Sequence, residues 1–238
     1  MANSFFSFKQ FTVQQDACAM KVCTDACLFG AWCAQELSAT SPQTFLDIGT
    51  GTGLLSLMIL QKNVVLADAI EIDADAAQQA KENAAASPWH KSITVHNADA
   101  RNMDILKKYD VIISNPPFYE TDLQSPDNKR NLAHHNKQLN LQALCEICTL
   151  HLKKSGVFFL LLPFKRKSEV AKLLHQNGLH IYKEAAVKQT PAHAPFRVML
   201  KCGWKEKNPK TETFIIRDDA QQYTMQFTEL LQAYYLNL

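Results

Sequence analysis

The chain has 238 residues and a formal net charge of +2, and 47% of its residues are hydrophobic and 20% charged. This composition is typical of a soluble globular protein and excludes a disordered or fibrous chain. No apolar run approaches the roughly 20 residues that a membrane-spanning helix needs, and the N-terminus lacks a basic leader followed by a long apolar core, so we expect a cytoplasmic protein.

Short β-rich runs alternate with helical stretches along most of the chain. Such alternation predicts a mainly parallel α/β sheet with helices on both faces and ligands bound beyond the carboxyl ends of the strands. No linker or repeat divides the sequence, so we predict a single domain over residues 1–238, with residues 1–43 packing over the carboxyl edge of the sheet. The predicted strands are residues 44–48, 67–72, 92–96, 109–114, 156–163, 179–187 and 196–203, and the clearest helices are residues 73–86, 139–152 and 165–176.

The first predicted strand runs into a loop with three glycines at alternate positions, Gly49, Gly51 and Gly53. Glycines let the backbone turn sharply and approach a ligand closely. A dinucleotide-binding loop has the spacing Gly-x-Gly-x-x-Gly and a helix N-terminus aimed at a pyrophosphate, whereas this loop is Gly-x-Gly-x-Gly and follows Asp47. A carboxylate there repels a pyrophosphate but suits the ammonium of S-adenosylmethionine, which we predict as the cofactor.

Acidic residues also follow the second and third predicted strands. Glu71 ends the second strand, where it can accept both ribose hydroxyls, and Asp99 follows the third, where it can accept the adenine amino group. Each aspartate has a structural alternative, since Asp47 or Asp99 can simply cap the next turn. Three acids at three successive strand ends, together with the glycine loop, favour the cofactor site.

The fourth predicted strand is followed at once by Asn115, Pro116, Pro117 and Phe118. Two prolines make a rigid backbone with free carbonyl groups, and the aromatic residue supplies a stacking wall. The Asn115 side chain and the Pro116 carbonyl can each accept one N–H of a planar amino group, whose nitrogen then faces the sulfonium methyl. We therefore predict these four residues as catalytic and assign Asn115 to the cofactor site as well. The alternative is a strand-ending turn.

The C-terminal part of the chain contains a cysteine pair and a basic stretch. Cys145 and Cys148 lie in an amphipathic run without a second pair to complete a zinc site, so we interpret them as reduced core cysteines and predict no metal. Between residues 151 and 210 there are 13 basic and 3 acidic residues, an excess that predicts a phosphate-facing surface or a solvated lysine face.

Several motifs together resemble the Asn-Pro-Pro-aromatic branch of the Rossmann-like methyltransferases, and most closely the bacterial tRNA1(Val) adenine-37 N6-methyltransferases. The resemblance implies a class I fold with a seven-stranded, mostly parallel sheet and an antiparallel final strand. It also implies N6-methylation of the adenine next to the anticodon of a tRNA. The matching segments are residues 8–11, 20–25, 28–32, 46–55, 87–89, 113–119 and 196–200.

The same resemblance implies roles for residues outside the strand ends. Lys21, Thr24 and Asp25 match a block that closes over the cofactor, although Cys23 stands where this block more often has glycine. Arg197 matches an arginine near the active-site face and either contacts RNA phosphate or pairs with a nearby acid. A tRNA substrate gives the basic stretch a function, and we predict RNA contacts by Lys165, Arg166, Lys167 and Arg197. We expect a monomer without an obligate protein partner.

Two related substrates remain open on the core motifs alone. A release-factor glutamine methyltransferase can hold a carboxamide with the same two acceptors, although such enzymes carry a separate helical domain before the glycine loop. A ribosomal-RNA guanine N2-methyltransferase has similar chemistry. A nicotinamide oxidoreductase conflicts with the glycine spacing, and a non-catalytic RNA-binding module leaves residues 115–118 unexplained.

Overall fold

A computed structural model describes residues 3–18, 20–104, 106–117 and 139–238 of the chain. Within these ranges the protein forms ten strands and six α-helices. The strands are β1 (Phe5–Ser7), β2 (Thr12–Gln14), β3 (Thr44–Ile48), β4 (Leu66–Glu71), β5 (Ile93–Asn97), β6 (Tyr109–Ser114), β7 (Leu152–Pro163), β8 (His180–Lys188), β9 (Arg197–Gly203) and β10 (Lys210–Ile215). The helices are α1 (Thr24–Ser38), α2 (Leu54–Leu60), α3 (Ala74–Ala85), α4 (Leu141–His151), α5 (Lys167–Gln176) and α6 (Met225–Leu231).

Eight of the strands form one sheet in the order β10-β8-β9-β7-β6-β3-β4-β5, and β1 and β2 form a separate hairpin. Every neighbouring pair in the large sheet is parallel except those that involve β9, which runs antiparallel to β7 and β8. The predicted mostly parallel α/β sheet is therefore confirmed, including the antiparallel direction of the strand predicted at residues 196–203.

One strand of the sheet has no counterpart in the sequence prediction. The resemblance implies seven strands, and β10 is an eighth, paired with β8 at the edge of the sheet. Its residues Lys-Thr-Glu-Thr-Phe-Ile include one buried side chain, Phe214. The interior strands are recognisable in the sequence by their hydrophobic runs, and an edge strand with so little apolar surface has no such run. Its position follows from backbone pairing with the edge of β8.

The helices cover both faces of the sheet. Helices α1, α2, α3 and α6 contribute to one apolar core with the N-terminal hairpin, and α4 and α5 contribute to a second core on the opposite face. All seven cysteines are free, and Cys145 and Cys148 are buried in the second core, as predicted. No helix in the described ranges is long and apolar enough to cross a membrane. The same residues contain no group of three or more metal-ligating side chains.

Candidate active site

The glycine loop connects the carboxyl end of β3 to the start of α2. Gly49, Gly51 and Gly53 have φ values of 72°, 56° and 83°, a region that side chains with a Cβ rarely adopt. Apart from the residues next to each glycine in the chain, no described residue has an atom within 4 Å of the position that a Cβ would occupy at Gly49 or Gly51. These two glycines are therefore required by backbone conformation, and the space beside them is open to a ligand.

Asp47 lies directly beneath this loop and is fully buried. Its Oδ2 accepts hydrogen bonds from the hydroxyls of Thr50 at 2.7 Å and Ser56 at 2.8 Å. Its Oδ1 is buried and has no hydrogen-bond partner among the described residues. Burial raises the pKa of Asp47 to about 6, the charge of Glu71 adds to this rise, and the two hydroxyls oppose it. An oriented carboxylate with one unused oxygen fits a cationic group.

Glu71, at the end of β4, faces the same loop. Its Oε2 accepts the Gly51 N–H at 2.9 Å and its Oε1 accepts the Asp73 N–H at 3.0 Å. The amides of Gly49 and Thr50 donate to the Ile70 carbonyl, which further ties the loop to β4. Each carboxylate oxygen keeps a second lone pair, so Glu71 can accept ribose hydroxyls while it holds the loop.

Asp99 follows β5, at the same edge of the sheet, but its oxygens are engaged by a neighbour. It caps a short 3₁₀ helix (Ala100–Asn102) by accepting the Arg101 N–H at 2.9 Å, and it also pairs with the Arg101 guanidinium at 2.5 Å. The Arg101 guanidinium lowers the pKa of Asp99. The capping alternative is therefore observed in the structure, and the contact with adenine stays a prediction.

Asn115 and the two prolines follow β6, which lies beside β3 in the sheet. Ser114 is paired with Ile48, and its hydroxyl donates to the Ile48 carbonyl at 2.8 Å. Asn115 is thus adjacent to the start of the glycine loop. Its Oδ1 is buried and has no partner among the described residues. Pro116 is buried and Pro117 exposed, while Phe118 lies outside the described residues.

Asp25 and Arg197 form an ion pair between the first turn of α1 and the first residue of β9. The Arg197 Nε donates to the Asp25 Oδ2 at 2.7 Å, so the acid-pairing alternative for Arg197 is observed. Thr24 is exposed at the start of α1, and the Lys21 Nζ donates to the Asn3 carbonyl at 3.2 Å. Cys23 has an extended backbone with φ of −131°, a conformation that does not require glycine.

The predicted RNA-binding residues near α5 are partly neutralised by acids. Arg166 pairs with Glu169 at 2.7 Å, and Lys167 pairs with Glu184 at 2.6 Å. Lys165 is exposed in the 3₁₀ turn between β7 and α5. Because β7 ends at Pro163, all three lie at the carboxyl edge of the parallel strands, the same edge as the glycine loop. Their contacts with RNA stay a prediction.

Sequence reasoning missed the polar residues that support the site. Thr50 and Ser56 orient Asp47, and on α3 the buried amides of Gln79 and Asn83 bind the N-terminal segment. The signal in the sequence is weak but present: two amide residues four positions apart on a helix face that is otherwise alanine. A buried polar side chain on such a face needs hydrogen-bond partners.

Comparison with known proteins shows the family to which the chain is similar. Residues 31–176 match the family model of the methyltransferase small domain. A protein of Cytophaga hutchinsonii, described as a tRNA1(Val) (adenine(37)-N6)-methyltransferase, is 40% identical over 242 residues and covers all of both chains. Proteins with the same description from Dyadobacter fermentans and Parabacteroides distasonis are 40% and 38% identical, over 98% and 100% of both chains.

Solved structures share the fold at lower sequence identity. A ribosomal protein L11 methylase from Lactobacillus delbrueckii subsp. bulgaricus has a TM-score of 0.54 and 19% identity, covering 74% of this chain and 77% of its own. A glycopeptide N-methyltransferase solved with S-adenosylmethionine has a TM-score of 0.55 and 13% identity, covering 74% and 94%. By its full-length similarity to curated relatives, the chain belongs to the family of tRNA1(Val) (adenine(37)-N6)-methyltransferases.

Proposed function

We propose that this protein transfers the methyl group of S-adenosylmethionine to N6 of an adenine in tRNA, most specifically adenine 37 of tRNA1(Val). The observation that carries the reaction type is the buried Oδ1 of Asn115 beside the glycine loop, which has no hydrogen-bond partner among the described residues. A buried acceptor without a donor costs free energy, and an amino N–H of the substrate removes that cost. The curated relatives support the choice of tRNA as the substrate.

The residues of the glycine loop fit the cofactor. S-adenosylmethionine supplies an electrophilic methyl group on a sulfonium. In our proposal the Oδ1 of Asp47, which has no partner in the described part of the chain, accepts N–H groups of the ammonium in the cofactor's amino acid part. Glu71 accepts the ribose hydroxyls, and Gly49 and Gly51 leave room for close backbone approach. Asp99 would contact the adenine while it remains paired with Arg101.

Asn115 and Pro116 activate the substrate nitrogen by holding its two hydrogens. The amino nitrogen of adenine is a poor nucleophile, because its lone pair is delocalised into the ring. When the Asn115 Oδ1 and the Pro116 carbonyl each accept one N–H, the nitrogen becomes more tetrahedral and its lone pair faces the methyl. The N–CH₃ bond forms as the S–CH₃ bond breaks, giving S-adenosylhomocysteine, and the methylated nitrogen loses one proton to solvent. We propose that Phe118 stacks on the base, which must first be flipped out.

Two contacts of the N-terminal segment support our proposal that it covers this site. Ala17 is held by Gln79 on α3, and Asp25 is held by Arg197 at the start of β9. In the order of the sheet, β3 and β6 lie between β4 and β9. Helix α3 follows β4 in the chain. The path of the N-terminal segment therefore leads from Ala17, on one side of the two strands that carry Asp47 and Asn115, to Asp25 on the other side. We infer from this path that residues 1–43, with Lys21, Thr24 and Asp25, close over the cofactor.

Cofactor binding is expected to release protons near pH 6. Because the pKa of Asp47 is raised to about 6, roughly half of the free protein is protonated there at pH 6, and the cofactor ammonium favours the ionised form. Calorimetry with S-adenosylhomocysteine, in buffers of different ionisation enthalpy, should show release of about half a proton at pH 6 and almost none at pH 8. Equal heats in all buffers at pH 6 would contradict a role of Asp47 in holding the ammonium.

Charge reversal at Lys165, Arg166 and Lys167 is expected to flatten the salt dependence of tRNA binding. Each lost phosphate contact should lower the slope of log K against log salt by about 0.7 to 0.9. A matched control reverses three lysines at the opposite end of the strands. Lys205 and Lys207 follow the end of β9. Lys210 begins β10 and lies opposite Lys183, near the start of β8, in the strand register. A larger change of slope in this control would place the RNA at the opposite edge.

The proposed function is tested with purified protein, tritiated S-adenosylmethionine and total RNA from a strain that lacks the gene. We expect labelled N6-methyladenosine in the tRNA fraction. Labelled N2-methylguanosine in ribosomal RNA, or label only in added release factor, would keep the cofactor site and overturn the substrate. We also propose that the protein acts as a monomer in the cytoplasm, where tRNA is found. The molar mass measured by light scattering, with and without tRNA, tests whether the protein is a monomer.

A further inference from the structure

Asn83 on α3 connects two segments that are distant in sequence. Its side chain is 2% exposed. The Oδ1 accepts the Gln14 N–H at 2.8 Å, and the Nδ2 donates to the Gln14 carbonyl at 3.0 Å and to the Thr52 carbonyl at 2.9 Å. Both amide hydrogens and the amide oxygen are therefore used. One side chain thus binds the backbone of the N-terminal hairpin and the backbone of the glycine loop together.

The glycine loop also packs directly on α3 near this contact. A Cβ at Gly53 would lie 3.7 Å from the Cβ of Ala80, which is one turn before Asn83. In the middle of the loop, the Gly51 N–H donates to Glu71. The loop is therefore held between the end of β4 and the body of α3. A movement of the Thr52 carbonyl would therefore act directly on the Asn83 amide.

A second buried amide on the same helix forms its hydrogen bonds, among the described residues, with the N-terminal segment and not with the glycine loop. Gln79 is 4% exposed; its Oε1 accepts the Ala17 N–H at 3.2 Å and its Nε2 donates to the Asp16 carboxylate at 2.5 Å. The segment thus runs along α3 from Asn83 toward the helix N-terminus, which follows Glu71. Gln79 and Asn83 have the same chemistry and similar burial, but of these two amides only Asn83 forms a hydrogen bond with the glycine loop in the described residues.

We propose that Asn83 is a positioning residue that couples cofactor binding at the glycine loop to the ordering of the N-terminal segment. The bound cofactor fixes the loop, the Thr52 carbonyl fixes the Asn83 amide, and the amide holds Gln14 in place. By thermodynamic linkage, a segment held in place must in return tighten cofactor binding. The inference rests on the proposed cofactor site and does not depend on the identity of the RNA.

The test compares Asn83→Leu with Gln79→Leu, using S-adenosylhomocysteine as the ligand. Calorimetry should show a rise of about tenfold in Kd for Asn83→Leu and less than about threefold for Gln79→Leu, because only the first variant loses a contact with the loop. Hydrogen exchange gives the second readout. In wild type and in Gln79→Leu, saturating ligand should slow exchange at Gln14. In Asn83→Leu it should slow exchange at Gly51 but leave Gln14 unchanged.

Two results would overturn the inference. Equal increases in Kd for both variants would mean that the two amides only stabilise the fold. Slowing at Gln14 by saturating ligand in Asn83→Leu would mean that another contact carries the coupling. If Asn83→Leu does not fold, Asn83→Ser keeps a polar group that is too short to bridge the two segments, and the same readouts apply. If wild-type protein binds S-adenosylhomocysteine but methylates no tRNA, the proposed substrate is wrong and the coupling through Asn83 is unaffected.

Discussion

Asn115→Ala is expected to lower kcat for methyl transfer by about 10²- to 10³-fold, the size typical for loss of one preorganised hydrogen bond at a reacting group. The reason is the position of Oδ1, which is buried beside the glycine loop and has no donor among the described residues. Without it, the substrate amino group keeps one acceptor, the Pro116 carbonyl, and its lone pair is no longer directed at the methyl. The measurement is single-turnover transfer to tRNA at saturating cofactor.

The control for this prediction is a half-buried asparagine. Asn177 lies at the end of α5, where its Nδ2 donates to the Leu173 carbonyl at 2.8 Å. Asn177→Ala removes a local hydrogen bond of the fold, so it should change the melting temperature and leave kcat unchanged. For Asn115→Ala, the Kd of S-adenosylhomocysteine should change by less than about threefold. A large rise in this Kd with an unchanged kcat would assign Asn115 to cofactor binding alone.

Asp47→Asn is expected to raise the Kd of S-adenosylhomocysteine by about 100-fold, because a buried carboxylate is replaced by a neutral amide at the position of the ammonium. The same change should not destabilise the fold at pH 7.5. Burial raises the pKa of Asp47 from 3.8 to about 6, so the ionised carboxylate costs the folded state about 3 kcal/mol above pH 6. The amide carries no such cost.

The effect of Asp47→Asn on stability should depend on pH, and its sign follows from the raised pKa of Asp47. For an acid whose pKa is raised by folding, the cost is absent below the unfolded value of 3.8, grows as the pH rises to about 6, and is constant above it. The melting temperature of Asp47→Asn should therefore equal or exceed that of wild type at pH 7.5, and the difference should shrink toward pH 4. A loss of stability at pH 7.5 together with unchanged affinity would show that Asp47 is structural.

Much of the candidate site could be predicted because it is local in sequence. Asp47, Glu71 and Asn115 each lie at or directly after a strand end, and the predicted bounds of β3 and β6 agree with the structure. Parallel strands bring their carboxyl ends to one edge of the sheet. A residue that follows a strand is therefore placed at the site by its position in the chain, without knowledge of any contact. The same reasoning placed the glycine loop beside Asn115.

The supporting contacts could not be predicted in this way. Asn83 binds Gln14 across 69 positions and Arg197 binds Asp25 across 172, and no local pattern states which partner a buried amide or an arginine will take. For Arg197 the sequence left two alternatives, and the fold supplied the acid. The apolar pattern likewise did not mark β10, because an edge strand buries little.

The sequence by itself determined the type of fold, and it predicted the glycine loop as the cofactor site and residues 115–118 as catalytic, since strand periodicity, glycine spacing and residues at strand ends are all local features. The tertiary structure decided how these parts are joined. It placed Thr50 and Ser56 around one oxygen of Asp47 and left the other unpartnered among the described residues, and it connected the glycine loop to the N-terminal hairpin through Asn83. Such contacts depend on packing between distant segments, because burial forces each polar group to find a partner wherever the fold supplies one.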